Sequence, residues 1–233
     1  MNLTAKDIFQ QLQSAVRAGV SPQEFPTGTV IPDLWTDLKT QEVYQMPLIV
    51  VGYCIVKPIG RKKCLGAILL RQNASPDRLP FDENACNVFH GSSLERWQNS
   101  DNGYPAGCSA GLLAAVTEVE IDKKPTKFFP PSLEELGIGE SDSSQQSQLI
   151  WEYFRKPCDS DGHDATYDLY FKNYRRYVER RTFRNTAGEP QCCWLRGPNR
   201  GHARYAWCYL TNHEAVPYNV CSPTPYLTAC VIC

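Results

Sequence analysis

The run Pro47-Leu48-Ile49-Val50-Val51-Gly52-Tyr53-Cys54-Ile55-Val56 constrains this chain more than any other stretch. Apolar and β-branched residues follow one another without a helical period, which suits a buried strand. Residues 57–63 form a basic turn, and Cys64-Leu65-Gly66-Ala67-Ile68-Leu69-Leu70 reads as the antiparallel return. Arg61, Lys62 and Lys63 then sit at a solvated hairpin tip. At 233 residues the chain is long enough to build a real core around this hairpin, and a single domain over 1–233 is expected.

Other elements follow from local signals. Residues 4–18 predict a helix, with Thr4 and Asp7 as an approximate capping box and Gly19 as its stop. Ile8, Phe9, Leu12 and Val16 form its apolar stripe, so one face packs on this domain or on a partner. A turn and short strand are expected over 25–32, and a loop over 72–81. Residues 92–99 predict a short helix capped by Ser92 or Ser93, with Leu94 and Trp97 facing inward. A second helical stretch is expected over 109–119. Ser132 and Glu135 make a capping box for a short helix closed by Gly137, and 140–148 is a polar Ser/Gln loop.

Composition bounds the function. The net charge of -1 gives no global field to draw in nucleic acid or an anionic membrane. The basic and aromatic stretch 174–184 reads as an amphipathic element rather than a base-stacking surface. No apolar run approaches a membrane span, and the first residues carry no Sec-type signal, so synthesis and folding in a cytoplasm are expected. Asn73-Ala74-Ser75 is a glycosylation sequon without a secretory context. Asp159-Ser160-Asp161-Gly162-His163-Asp164 has its glycine too early for a calcium loop and reads as a solvated turn. The 11 cysteines include one C-x-x-C, Cys230 and Cys233, without a second pair at zinc-ribbon spacing. Mostly reduced, structural thiols are expected, with a C-terminal metal or disulfide cluster as the alternative. No cofactor is implied.

The segment 191–233 is the other unusual feature. Apolar pieces stand at its two ends, Cys193-Trp194-Leu195 and Ala229-Cys230-Val231-Ile232. Between them Tyr, His, Arg, Asn, Cys, Trp and Pro mix without a helical period. Rigid aromatics with adaptable hydrogen-bonding side chains make up recognition surfaces. Buried aromatics on an irregular β segment would give the same composition. Exposure of Tyr205, Tyr209, Tyr218 and Tyr226 on one concave patch would favour the first reading, and their burial in separate cores the second.

Several motifs in order carry a resemblance. They are Phe25-Pro26-Thr27-Gly28, Pro47-Leu48-Ile49-Val50-Val51, Leu94-Glu95-Arg96-Trp97, the Phe-Phe-Pro-Pro-Ser-Leu-Glu-Glu-Leu of 128–136, Trp194-Leu195-Arg196-Gly197-Pro198, and Ala229-Cys230-Val231-Ile232. Together they resemble C-type-lectin-fold proteins of phage and archaeal viral genomes, among them the variable proteins of diversity-generating retroelements. The resemblance implies an α+β fold: small antiparallel sheets, two main helices and a long irregular C-terminal segment. It implies that 191–233 is the variable ligand-binding segment, with Trp194, Leu195 and Arg196 as framework. Arg200, His202, Arg204, Tyr205, Cys208, Tyr209, Leu210, His213, Tyr218, Asn219, Cys221 and Tyr226 would be ligand-binding positions. These are residue types that adenine-directed mutagenesis of asparagine codons yields. Gly197, where serine is more usual, and Leu227-Thr228 depart from the pattern.

The implied function is non-enzymatic: recognition of a protein or glycan on a host surface by a protein displayed on a virion or cell. No nucleic-acid partner and no membrane insertion are expected, and the N-terminal helix is a candidate for assembly into a particle. Two alternatives stay open. One is a formylglycine-generating type of metal and cysteine enzyme on the same fold, using Cys230 with Cys233 or Cys192 with Cys193. The other is a viral structural protein of fixed specificity. A nucleophile made by Cys208 or Cys221 with His202 or His213 has no orienting third group in the spacing. Gly197-Pro198-Asn199 lacks the carboxylate of calcium-dependent lectins, so no metal is expected.

Overall fold

The computed structural model describes residues 5–137, 151–154, 180, 182–198, 203–209 and 215–233. Its first half contains α1 (Ala5–Ala18), α2 (Ser21–Glu24), β1 (Val30–Ile31), β2 (Leu34–Thr36), β3 (Val43–Gln45), β4 (Leu48–Val56) and β5 (Cys64–Arg71). Next come α3 (Ser93–Asn99), α4 (Tyr104–Gly107), α5 (Ala110–Ala115), β6 (Val119–Ile121), β7 (Lys124–Thr126) and β8 (Phe128–Phe129). A 3-10 turn at Glu152–Phe154 precedes β9 (Cys193–Pro198), β10 (Tyr205–Tyr209), β11 (Ala215–Asn219) and β12 (Ala229–Ile232). The fold is α+β with antiparallel sheets and two main helices, α1 and α3.

The predicted hairpin forms. β4 and β5 pair from Leu48 with Arg71 to Val56 with Cys64, with an irregularity between Val50 and Gly52. They lie inside a five-stranded sheet of order β1-β4-β5-β12-β8. β12 therefore enters from the far end of the chain and pairs with β5 on one side and β8 on the other. With neighbours on both sides and cover on both faces, all four of its residues are buried. Gly66 is needed in β5: a Cβ there would lie 2.8 Å from both Val56 and Val231, whose side chains meet over it.

α1 is the expected amphipathic helix, and Gly19 ends it in the left-handed region. Phe9, Leu12, Ala15 and Val16 are buried, and Gln13 reaches the Ala115 carbonyl of α5 at 3.3 Å. The apolar stripe is thus used inside the domain, which answers whether it packs here or on a partner. Assembly through this helix would have to use its polar face. Thr4, the expected cap, lies outside the described residues. In α3, Ser92 caps the helix by accepting from the Glu95 N–H at 3.1 Å, and Leu94 is buried.

Two local expectations need correction. The helix expected over 109–119 stops at Ala115. The Thr117 N–H donates to the Val231 carbonyl at 2.8 Å, and Val119 pairs with Thr126, so tertiary β pairing overrides helix continuation. Around Ser132 the capping-box bonds form, Ser132 N–H to Glu135 Oε2 at 2.8 Å and Glu135 N–H to Ser132 Oγ at 3.3 Å, but only a turn follows. Gly137, at a φ of 66°, closes it after one turn. The polar loop at 140–148 and the acidic turn at 159–164 lie outside the described residues, as does most of 174–184. The buried side chains form one continuous cluster from α1 to β12. Among the described residues no helix is long and apolar enough to cross a membrane.

Candidate functional site

The C-terminal segment forms a second sheet of order β11-β10-β9. Its frame is β9. Trp194 is fully buried, donates its indole N–H to the Leu79 carbonyl at 2.9 Å, and meets Phe81 edge-on at 5.6 Å. Arg196 is buried and committed to partners. Nε bonds Asp122 at 2.8 Å, Nη1 donates to the Pro130 carbonyl at 2.9 Å, and Nη2 reaches Glu135 Oε1 at 2.6 Å. Asp122 is presented by a tight turn in which Asp122 and Lys123 both take positive φ, 48° and 67°. Burial works against the Arg196 charge, but Glu135 and Asp122 outweigh it and raise its pKa. The expected framework residues Trp194, Leu195 and Arg196 are thus all interior.

Strand register assigns faces to the rest. Tyr205 stands opposite Asn219, Ala206 opposite Tyr218, and Trp207 opposite Pro217. Because side chains alternate along a strand, Tyr205 and Tyr218 lie on opposite faces of the ribbon. Tyr218 covers Trp194, with ring centroids 5.8 Å apart. The Asn87 side chain donates to the Tyr205 carbonyl at 3.0 Å, Val220 N–H to the Arg204 carbonyl at 3.1 Å, and the Cys221 thiol to the Asp82 carbonyl at 3.6 Å. The strand ends and the loop 82–88 therefore form one rim.

Of the twelve expected ligand positions, Arg204, Tyr205, Tyr218, Asn219 and Cys221 are exposed. Four of them, Arg204, Tyr205, Asn219 and Cys221, gather at the rim, and Tyr218 stands apart on the other face. Cys208, Tyr209 and Tyr226 are corrected: each is about 1% exposed. Cys208 pairs with Trp194 in the sheet, Tyr209 packs edge-on against Phe183 at 5.6 Å, and the Tyr226 hydroxyl accepts from the Trp97 indole at 2.8 Å. Arg200, His202, Leu210 and His213 lie outside the described residues. The four tyrosines do not share one patch. The rim also includes Asn87 and the exposed Cys86 and Val88, for which sequence reading assigned no role. Their only signal is a polar stretch between a loop and a capped helix.

Asp82 fixes this loop. Burial pushes its carboxyl up, but donation from the Cys86 N–H and from the Ser93 hydroxyl and N–H outweighs that and leaves it below the ordinary range.

Burial raises the interior thiols of this segment. Burial pushes Cys208 up to about 12, and its neighbour Cys192 adds to this, so it holds no thiolate at neutral pH. Burial also raises Cys193 and Cys230. Val231 and Cys233 share the face of Gly66, which puts Cys230 on the other face of β12. Cys192 and Cys193, adjacent where β9 begins, are likewise set apart by the pleat. Neither pair converges on one point. Among the described residues no group of three or more His, Cys, Asp or Glu side chains is placed to hold a metal ion. A cleft of about 280 Å³ lies elsewhere, between Ile49, Leu70, Tyr153 and Phe183, and an open hollow of about 620 Å³ lies beside α1. Neither is lined by an expected ligand position. Comparison of the chain with protein-family models, curated proteins and solved structures finds no match.

Proposed function

We propose that this chain is a non-enzymatic ligand-binding protein of C-type-lectin fold whose C-terminal segment displays a diversified recognition surface at a virion or cell surface. One observation carries the reading: scaffold and display are separated within a single short segment. Trp194, Leu195 and Arg196 are buried and held by long-range bonds, while Arg204, Tyr205, Tyr218, Asn219 and Cys221 are exposed on the strands that follow. Such a segment tolerates exchange of its outward side chains because they contribute little to the core. Exposed Tyr, Arg and Asn at a rim suit a protein or glycan surface.

The burial of Tyr209 and Tyr226 favours a second reading, a structural protein of fixed specificity. Sequencing the codons of 192–226 across a population of source genomes separates the two. The first reading expects changes confined to adenine-containing codons at Arg204, Tyr205, Tyr218, Asn219 and Cys221. Trp194, Tyr226 and Val231 stay constant, and a reverse-transcriptase gene and a second copy of the segment lie nearby. Uniform codons without such a copy overturn it in favour of the second.

A further inference from the structure

The C-x-x-C of Cys230 and Cys233 is the motif that the recognition reading leaves unused. Placed on a strand, its two cysteines face opposite sides, so they cannot serve each other. The sheet supplies Cys233 with different neighbours. Cys54 stands directly opposite Gly66 across β4 and β5, and Ile232 stands opposite Ala67 across β12 and β5. The Cys233 sulfur lies 3.4 Å from the point where Gly66 would carry a Cβ. Cys64, two residues before Gly66 on the same strand, shares that face. After burial, Cys64 is the neighbouring group that most raises the Cys233 thiol. A bare glycine thus leaves room for sulfur atoms from adjacent strands to meet, with Cys64 half-buried and Cys233 5% exposed.

We propose that Cys64 and Cys233 are a redox-convertible pair that closes to a disulfide stapling β5 to the end of β12. The oxidant is a low-molecular-weight disulfide such as oxidised glutathione. The more accessible Cys64, as thiolate, attacks one glutathione sulfur, forming a mixed disulfide and releasing one glutathione thiolate. Cys233 gives its proton to solvent, attacks the Cys64 sulfur and expels the second glutathione. Two protein thiols are oxidised by two electrons, and one glutathione disulfide is reduced to two thiols. Burial, with Cys64 adding to it, pushes the Cys233 thiol up to about 12, so the second step is slow at neutral pH and accelerates as pH rises.

The test uses the purified full chain, incubated with oxidised glutathione at mildly alkaline pH, digested without reduction and mapped by mass spectrometry. The expected product is a peptide pair joined through Cys64 and Cys233, two hydrogens lighter than the separate thiols. It is accompanied by a rise in Tm of about 5–10 °C that a reductant reverses. Cys64→Ser should abolish both. The linkage map is made on the wild-type chain, so it decides the matter even if that variant folds poorly. Glutathione retained on Cys64, a Cys54 to Cys233 linkage, or two unmodified thiols would each overturn the proposal.

Discussion

β12 and the β10–β11 ribbon come from the same stretch of chain and draw on the same residue types, yet they end in opposite environments. Cys230 is buried in β12, while Cys221, just past β11, is exposed. Tyr226 is pinned under Trp97, while Tyr218 is 42% exposed. The difference is one of position in a sheet. β12 is flanked by β5 and β8, whereas β11 is an edge strand with Pro217 at its centre. An edge strand with proline neither recruits a further strand nor needs a fully apolar face. Position along a strand matters as well: on β10, Cys208 and Tyr209 are buried where β9 and Phe183 cover them, while Tyr205 at the other end is exposed.

This contrast can be broken most severely at its frame. Trp194→Ala should cost about 3–5 kcal/mol in urea denaturation, because the ring is fully buried and carries a buried hydrogen bond. A loss below 1 kcal/mol would mean that β9 is not part of the core. Gly66→Ala should cost about 1–3 kcal/mol, since Val56 and Val231 leave no room for a methyl group. An unchanged urea midpoint would show that β4, β5 and β12 pack more loosely than described.

Asp82→Asn sharpens the comparison through pH. The carboxyl is depressed in the folded state, so its contribution is fully present above the ordinary aspartate range, about pH 4, and is lost as pH falls through the lower folded value. The variant should lose about 1 kcal/mol at neutral pH and show a shallower acid decline, read from urea midpoints across pH. Equal acid declines in both proteins would remove Asp82 as the anchor of the rim. At the display end, Arg204→Ser should shift stability by no more than about 0.5 kcal/mol. A larger shift would place Arg204 with the frame.

Much of the fold was readable in the sequence. The 47–70 hairpin, α1 with its Gly19 stop, and the Ser92 cap all rest on local signals strong enough to survive tertiary context. The helix expected over 109–119 forms but ends early, at Ala115, because Thr117 and Val119 answer to strands elsewhere, which no local pattern reveals. The frame of the candidate site, Trp194 to Arg196, was also legible. Its split into exposed and buried positions was not. Tyr209 and Tyr218 look alike in sequence, and only the register of β10 with β11 and the approach of Phe183 to Tyr209 separate buried from exposed. Arg196 was readable as framework, but its partners Asp122 and Glu135 lie more than sixty residues away. The part played by the loop 82–88 depends on bonds from Asn87 and Cys221 and on the Asp82 N–H to the Val220 carbonyl, for which sequence holds no mark.

The pairing of β5 with β12 also sets a timetable. Roughly 160 residues separate the two strands, so a ribosome adding 5–20 residues per second leaves the edge of β5 unpaired for roughly ten to thirty seconds. That edge runs along Ala67-Ile68-Leu69-Leu70, among the most apolar segments of the chain. During that interval it offers open backbone to any neighbouring nascent chain. Dense polysomes and chaperone supply, rather than the equilibrium stability of the finished protein, would then set its yield, and a chain cut before Ala229 would carry the exposed edge permanently.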